Sequence, residues 1–144
     1  AQGDGARVMV DETTFFPGAV ELLEALHRSG TRVAIVSTKL GVTIRKIFAR
    51  HGLEPLVDLI IGGEDVQRSK PDPEGLQLAL GRLSLPARQV LFCGDTVIDA
   101  QTARSSGTDF CAVLNGTTGR AAFTPYPCVH IAPDLEDLRR FLAL

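Results

Sequence analysis

The chain is predicted to be an α/β domain: a three-layer, Rossmann-like parallel sheet with helices on both faces. Three observations predict it. Short, continuous apolar runs rich in β-branched residues recur along the chain. Segments with helical apolar spacing separate them. The residues able to carry chemistry fall just after the apolar runs, where an open α/β sheet holds its ligand crevice. Continuous apolar strands suit a sheet buried on both faces, and strand–helix alternation calls for parallel crossovers.

The elements follow in order. Arg32-Val33-Ala34-Ile35-Val36 reads as a buried strand, as do Leu59-Ile60-Ile61, Val90-Leu91-Phe92-Cys93 and Phe110-Cys111-Ala112-Val113-Leu114. Cys128-Val129-His130-Ile131 is a shorter candidate, and Arg7-Val8-Met9-Val10-Asp11 another near the start. Gly18 to Ser29 carries Val20, Leu22, Leu23 and Leu26 at helical spacing, with Gly30 placed to cap it. Val42 to His51 puts Ile44, Ile47 and Phe48 on one face and stops at Gly52. Helices are also expected over Pro73 to Leu83, Ile98 to Ser106 (ending at Gly107) and Leu135 to Leu142.

At 144 residues the chain has the size of one domain. A hydrophobic content of 44% with 22% charged residues is ordinary for a globular protein. A net charge of −2 gives no electrostatic reason to expect nucleic acid or an acidic membrane as a partner. No apolar run approaches the roughly 20 residues that span a bilayer, and no signal peptide is visible. Cys93, Cys111 and Cys128 lack metal-ligand spacing, and the first two fall inside strand-like runs. Three such thiols suit a reducing cytoplasm.

Three motifs carry the chemistry. Gly94-Asp95-Thr96-Val97-Ile98-Asp99 follows a strand and opens a helix, so Asp95 falls at the strand end and Asp99 in the first helical turn. Two carboxylates there suit a hard cation; Mg2+ takes oxygen ligands and is commonly held by one or two carboxylates plus a phosphate. The bland alternative is a helix cap at Asp95 and a solvated Asp99. Lys70 precedes Pro71-Asp72-Pro73-Glu74, a helix start that pins its backbone. A pinned ammonium can neutralise a phosphoryl group, although most lysines lie on the surface. Ser37, with Thr38, ends a strand shortly before a helix, where a hydroxyl and backbone N–H groups can cradle phosphate oxygens; the alternative is a simple turn.

Together, and in this order, these motifs resemble the haloacid dehalogenase-like hydrolase superfamily, and within it the phosphoglycolate phosphatase and pyrophosphatase group. The resemblance runs from about Pro17 to the C-terminus. It rests on Pro17-Gly18-Ala19-Val20-Glu21-Leu22-Leu23, Val36-Ser37-Thr38-Lys39, Gly62-Gly63-Glu64-Asp65-Val66, Lys70-Pro71-Asp72-Pro73-Glu74 and Gly94-Asp95-Thr96 with Asp99. It implies strand order 3-2-1-4-5 and Mg2+-dependent hydrolysis of a small phosphorylated metabolite through an aspartyl-phosphate. Ser37 and Thr38 would bind the phosphoryl group, Lys70 would stabilise charge, and Asp95 and Asp99 would hold Mg2+.

The chain departs from that pattern at its start. Members carry an Asp-x-Asp motif on a central first strand, followed by a helical cap. Here residues 1–16 read as the residue of a cap and its linker, with the core at 17–144 lacking its usual first strand. A missing central strand would leave unpaired backbone along two neighbours. Arg7 to Asp11 is the internal candidate to fill it, which would set Asp11 at the nucleophile's place. Thr13 would then stand where the second aspartate, the general acid, belongs. Strand exchange with a second copy, or a complementing fragment, would fill it otherwise. The expectation is a truncated phosphatase core with weak or no turnover; the alternative is a non-catalytic module that binds Mg2+ and phosphate or serves assembly. A receiver-type signalling domain needs an acidic pair after its first strand and a lysine after its last, which the order Ser37, Lys70, Asp95, Asp99 does not supply.

Overall fold

The computed structural model describes residues 7–10, 17–114 and 118–144. Its strands are β1 (Arg7–Val10), β2 (Arg32–Val36), β3 (Leu59–Ile61), β4 (Val90–Gly94), β5 (Asp109–Val113) and β6 (His130–Ala132). Its α-helices are α1 (Ala19–Arg28), α2 (Gly41–Arg50), α3 (Glu74–Leu83), α4 (Val97–Ser106) and α5 (Leu135–Phe141). The strands form one sheet in the order β3-β2-β1-β4-β5-β6, with every pairing parallel. The α/β class holds, and β6 extends the expected order at one edge.

The alternation of side chains along each strand builds the layers. Val33 and Ile35 of β2, Cys93 of β4, and Cys111 and Val113 of β5 pack beneath α1, α2 and α5, against Leu22, Leu26, Phe48 and Leu138. Ala34, Val36, Phe92, Phe110 and Ala112 point the other way, onto Leu76, Ala79 and Leu80 of α3 and Ala100 and Ala103 of α4. Cys93 and Cys111 are fully buried register partners, and their mutual hydrogen bond, together with burial, pushes the Cys93 thiol well above its ordinary pKa. That leaves it an inert, protonated core side chain.

The gap that the resemblance implies between β2 and β4 is occupied by the internal candidate. β1 pairs with both neighbours, Arg7 beside Arg32 and Val90, Val10 beside Ile35 and Cys93. β1 thus bridges β2 and β4 within the one sheet. Asp11 and Thr13 lie outside the described residues, as do most of residues 1–16 and part of the Asn115–Gly119 turn.

Helix ends follow local chemistry. Gly30, Gly52 and Gly107 stand at the C-terminal ends of α1, α2 and α4 with φ of +77°, +69° and +81°, a region that L side chains rarely adopt. Pro73 stands at the N-cap of α3, so the expected helix starts one residue later, at Glu74. His130 lies at the start of β6, bonded to Asp137 and stacked on Phe141 with ring centroids 4.2 Å apart. Among the described residues no helix is long and apolar enough to cross a membrane.

Candidate active site at the strand ends

The carboxyl ends of β2 and β4 bring the three motifs together. Lys70 enters from the loop before α3. Its side chain is only 6% exposed, and its Nζ donates a 2.8 Å hydrogen bond to Oδ1 of Asp99, which is fully buried. Nζ also reaches the carbonyl of Val36 at 3.5 Å, immediately before Ser37, and lies 5.9 Å from the Phe92 ring centroid. The surface-lysine alternative is thereby excluded, as is a solvated Asp99. An ammonium in this setting stays buried because its charge is paired and hydrogen-bonded.

Asp99 is held on its other side by Thr96. Oδ2 accepts from the Thr96 hydroxyl at 2.9 Å and from the Thr96 N–H at 3.3 Å, while Thr96 Oγ1 accepts from the Asp99 N–H at 3.2 Å. This reciprocal arrangement is a capping box. It makes Thr96, not Asp95, the N-cap of α4. A Cβ on Gly94 would come within 2.4 Å of Asp99 Cβ, so only glycine lets the carboxylate fold back against the strand end. Asp99 was expected to ligate metal. As placed here its Oδ1 is bonded to Lys70 and its Oδ2 to Thr96.

Asp95 directly follows β4 and is 8% exposed. Its carboxylate is the hard oxygen donor at the crevice. Among the described residues no group of three or more His, Cys, Asp or Glu side chains is gathered for a metal. A strand-end carboxylate is a donor of the kind Mg2+ takes, since that ion keeps waters and shares phosphate oxygens.

Ser37 is buried at the end of β2, and its N–H continues the sheet by donating to Ile61 O at 3.0 Å. Its hydroxyl oxygen accepts from Lys39 N–H at 3.1 Å, giving a tight turn; Thr38 beside it is exposed. Ser37, Thr38, Arg68, Ser69 and Lys70 border one small cavity. The first two amides of α2 are taken, however. Oε1 and Oε2 of Glu64 accept from the N–H groups of Gly41 and Val42 at 2.7 and 3.2 Å. These bonds, the Gly41 N–H foremost, hold the Glu64 carboxyl below the ordinary glutamate range.

Two residues escaped the sequence reading for different reasons. Thr96 had a local signal, the Thr-x-x-Asp pattern of a capping box. Glu64 had none, because the amides it caps lie 23 and 22 residues earlier.

A parallel sheet in this order sets a lysine–aspartate pair, a carboxylate and a serine at the carboxyl ends of β2 and β4, on either side of β1. The haloacid dehalogenase-like hydrolase family matches residues 5–113, and the chain belongs to it. Among curated relatives, the phosphoglycolate phosphatase of Cereibacter sphaeroides is 36% identical over 104 residues, covering 72% of this chain and 47% of that protein. The pyrophosphatase PpaX of Halalkalibacterium halodurans is 29% identical over 126 residues, covering 85% and 59%. The solved structure of a haloacid dehalogenase-like hydrolase from Bacteroides fragilis superposes with a TM-score of 0.83 at 41% identity, covering 85% of this chain and 59% of that one. The chain thus spans about half the length of the relatives it matches.

Proposed function

We propose that the ends of β2 and β4 form a Mg2+-dependent phosphate-ester hydrolysis site for a small phosphorylated metabolite, and that this chain alone turns its substrate over slowly. The observation that carries the reading is the buried Lys70–Asp99 pair beside Asp95 and Ser37. An ammonium kept at fixed geometry in a poorly solvated site is worth most where charge develops on a transferring phosphoryl group. The phosphatase and pyrophosphatase names of the relatives support the same chemistry.

In this reading Ser37 and Thr38 receive phosphoryl oxygens, Lys70 neutralises one of them, and Asp99 keeps Lys70 in place. Asp95 offers its carboxylate to Mg2+, which when bound withdraws charge from the phosphoryl group. The nucleophile is Asp11, the residue that follows β1 in the chain. Its carboxylate oxygen bonds to phosphorus as the ester oxygen departs; water then attacks the aspartyl-phosphate, releasing phosphate and restoring the carboxylate. Thr13 replaces the carboxylic acid that would protonate the departing oxygen. That substitution is the reason for slow turnover. It also favours a second reading, a module that binds Mg2+ and phosphate without hydrolysis, with a complementing fragment or second copy as its partner. The free thiols fit a reducing compartment such as the cytoplasm.

The test is Mg2+-dependent hydrolysis of an aryl phosphate by the chain, by Asp11→Asn and by Asp95→Asn. Activity that both substitutions abolish supports the first reading. No activity in the parent, with Mg2+ and phosphate still bound, selects the second. No binding of either ligand sinks both.

A further inference from the structure

The turn Gly62-Gly63-Glu64-Asp65 after β3 grips the loop that carries Ser37 and Thr38. Gly63 N–H donates to Lys39 O at 2.8 Å. Glu64 takes the next two available amides, those of Gly41 and Val42. Asp65 Oδ2 accepts from Gly62 N–H at 2.8 Å and locks the turn itself. The two segments touch so closely that side chains are excluded. A Cβ on Gly62 would stand 2.2 Å from Gly41 N, and one on Gly63 would stand 2.6 Å from Thr38 O. The Thr38–Val42 stretch is therefore held at three points from one side.

The grip reaches the candidate phosphate ligand in two links. Lys39, whose carbonyl is held by Gly63, uses its own N–H to orient the Ser37 hydroxyl. The Glu64 carboxylate also occupies the α2 amides that attract anions at any open helix N-terminus. The N-cap residue of α2 is Leu40, whose side chain cannot serve.

We propose that Glu64 is a positioning residue of this site: it fixes the Ser37–Thr38 loop and denies the α2 N-terminus to phosphate, confining the anion to the strand end beside Lys70. The proposal rests on the phosphate-site reading above and adds to it a residue that does not touch substrate. Glu64→Gln keeps the shape but replaces one acceptor oxygen with an amide that repels the N–H it faces.

The experiment titrates inorganic phosphate, with Mg2+ present, into the parent chain, Glu64→Gln and Asp134→Ala, following the amide signals of Ser37 and Thr38. Asp134 caps α5 through a 2.7 Å bond from Asp137 N–H, just after β6 at the sheet edge opposite β3, so its loss imitates a cap defect remote from the site. Each substitution should lower Tm by about 3 °C. Glu64→Gln alone should weaken phosphate binding about tenfold, with faster hydrogen exchange at Gly41 and Val42. Unchanged or tighter binding in Glu64→Gln would overturn the proposal, and so would equal weakening in Asp134→Ala. Failure of the parent to bind phosphate would overturn the site reading itself, a separate result from either of these.

Discussion

Two strand-to-helix corners, on either side of β1, solve the same problem in opposite ways. At the end of β4 the first turn of α4 is capped from within: Thr96 and Asp99 satisfy each other three residues apart. At the end of β2 the first turn of α2 has no cap of its own, and Glu64 arrives from another loop to supply one. The local solution leaves Asp99 Oδ1 available for Lys70 and so builds an electrostatic site. The imported solution fastens two loops together and so builds a rigid cradle. One corner provides charge, and the other provides position.

The largest break in this contrast should come from the charged corner. Lys70→Met leaves Asp99 as a buried, uncompensated carboxylate, and denaturant unfolding should show a loss of about 3–5 kcal/mol. Pairing it with Asp99→Leu should recover part of that loss; an additive double mutant would mean the two side chains are not coupled. Gly94→Ala comes next. The added methyl meets Asp99 Cβ at 2.4 Å, and the forced shift should cost about 1–3 kcal/mol in the same assay. Thr96→Ala removes the local cap and should cost about 1 kcal/mol, with Lys70 left in place.

The smallest effect separates the corners by pH. Glu64 is held below its ordinary pKa in the folded state. Its contribution is therefore complete above the unfolded value and is lost as pH falls through the lower folded value. Thermal melts taken downward from about pH 5 should show the parent losing a stabilisation that Glu64→Gln lacks, so the gap between the two curves closes in acid. A gap that stays constant over that range would mean the carboxylate charge plays no part in the grip.

The positions of most of these groups were readable from the chain. Strands β2 and β3 fall where the apolar runs put them, and the helices begin and end within a residue or two of their Gly and Pro signals. Ser37, Lys70, Asp95 and Asp99 all stand at the carboxyl end of the sheet, as their place after strands requires. What they do there was less readable. Strand-end carboxylates at this spacing suit a cation, and that chemistry gives no hint of a lysine partner for Asp99. Its engagement with Lys70, 29 residues away, depends on β2 and β4 lying close enough for the loop before α3 to reach across. The place of Arg7–Val10 between them is likewise a matter of pairing, since four apolar-leaning residues by themselves specify no neighbour.

By itself, then, the sequence determined the alternation of elements, their ends and the set of residues at the crevice. These follow from short-range physics: apolar periodicity, glycine's access to positive φ, and proline's missing donor. The tertiary structure alone decided which strand fills the centre, that Lys70 spends its charge on Asp99, and that Glu64 caps a helix it does not belong to. Those outcomes require backbone segments distant in the chain to approach within a hydrogen bond's reach. At Gly62, Gly63 and Gly94 that approach is possible only because no side chain stands in the way.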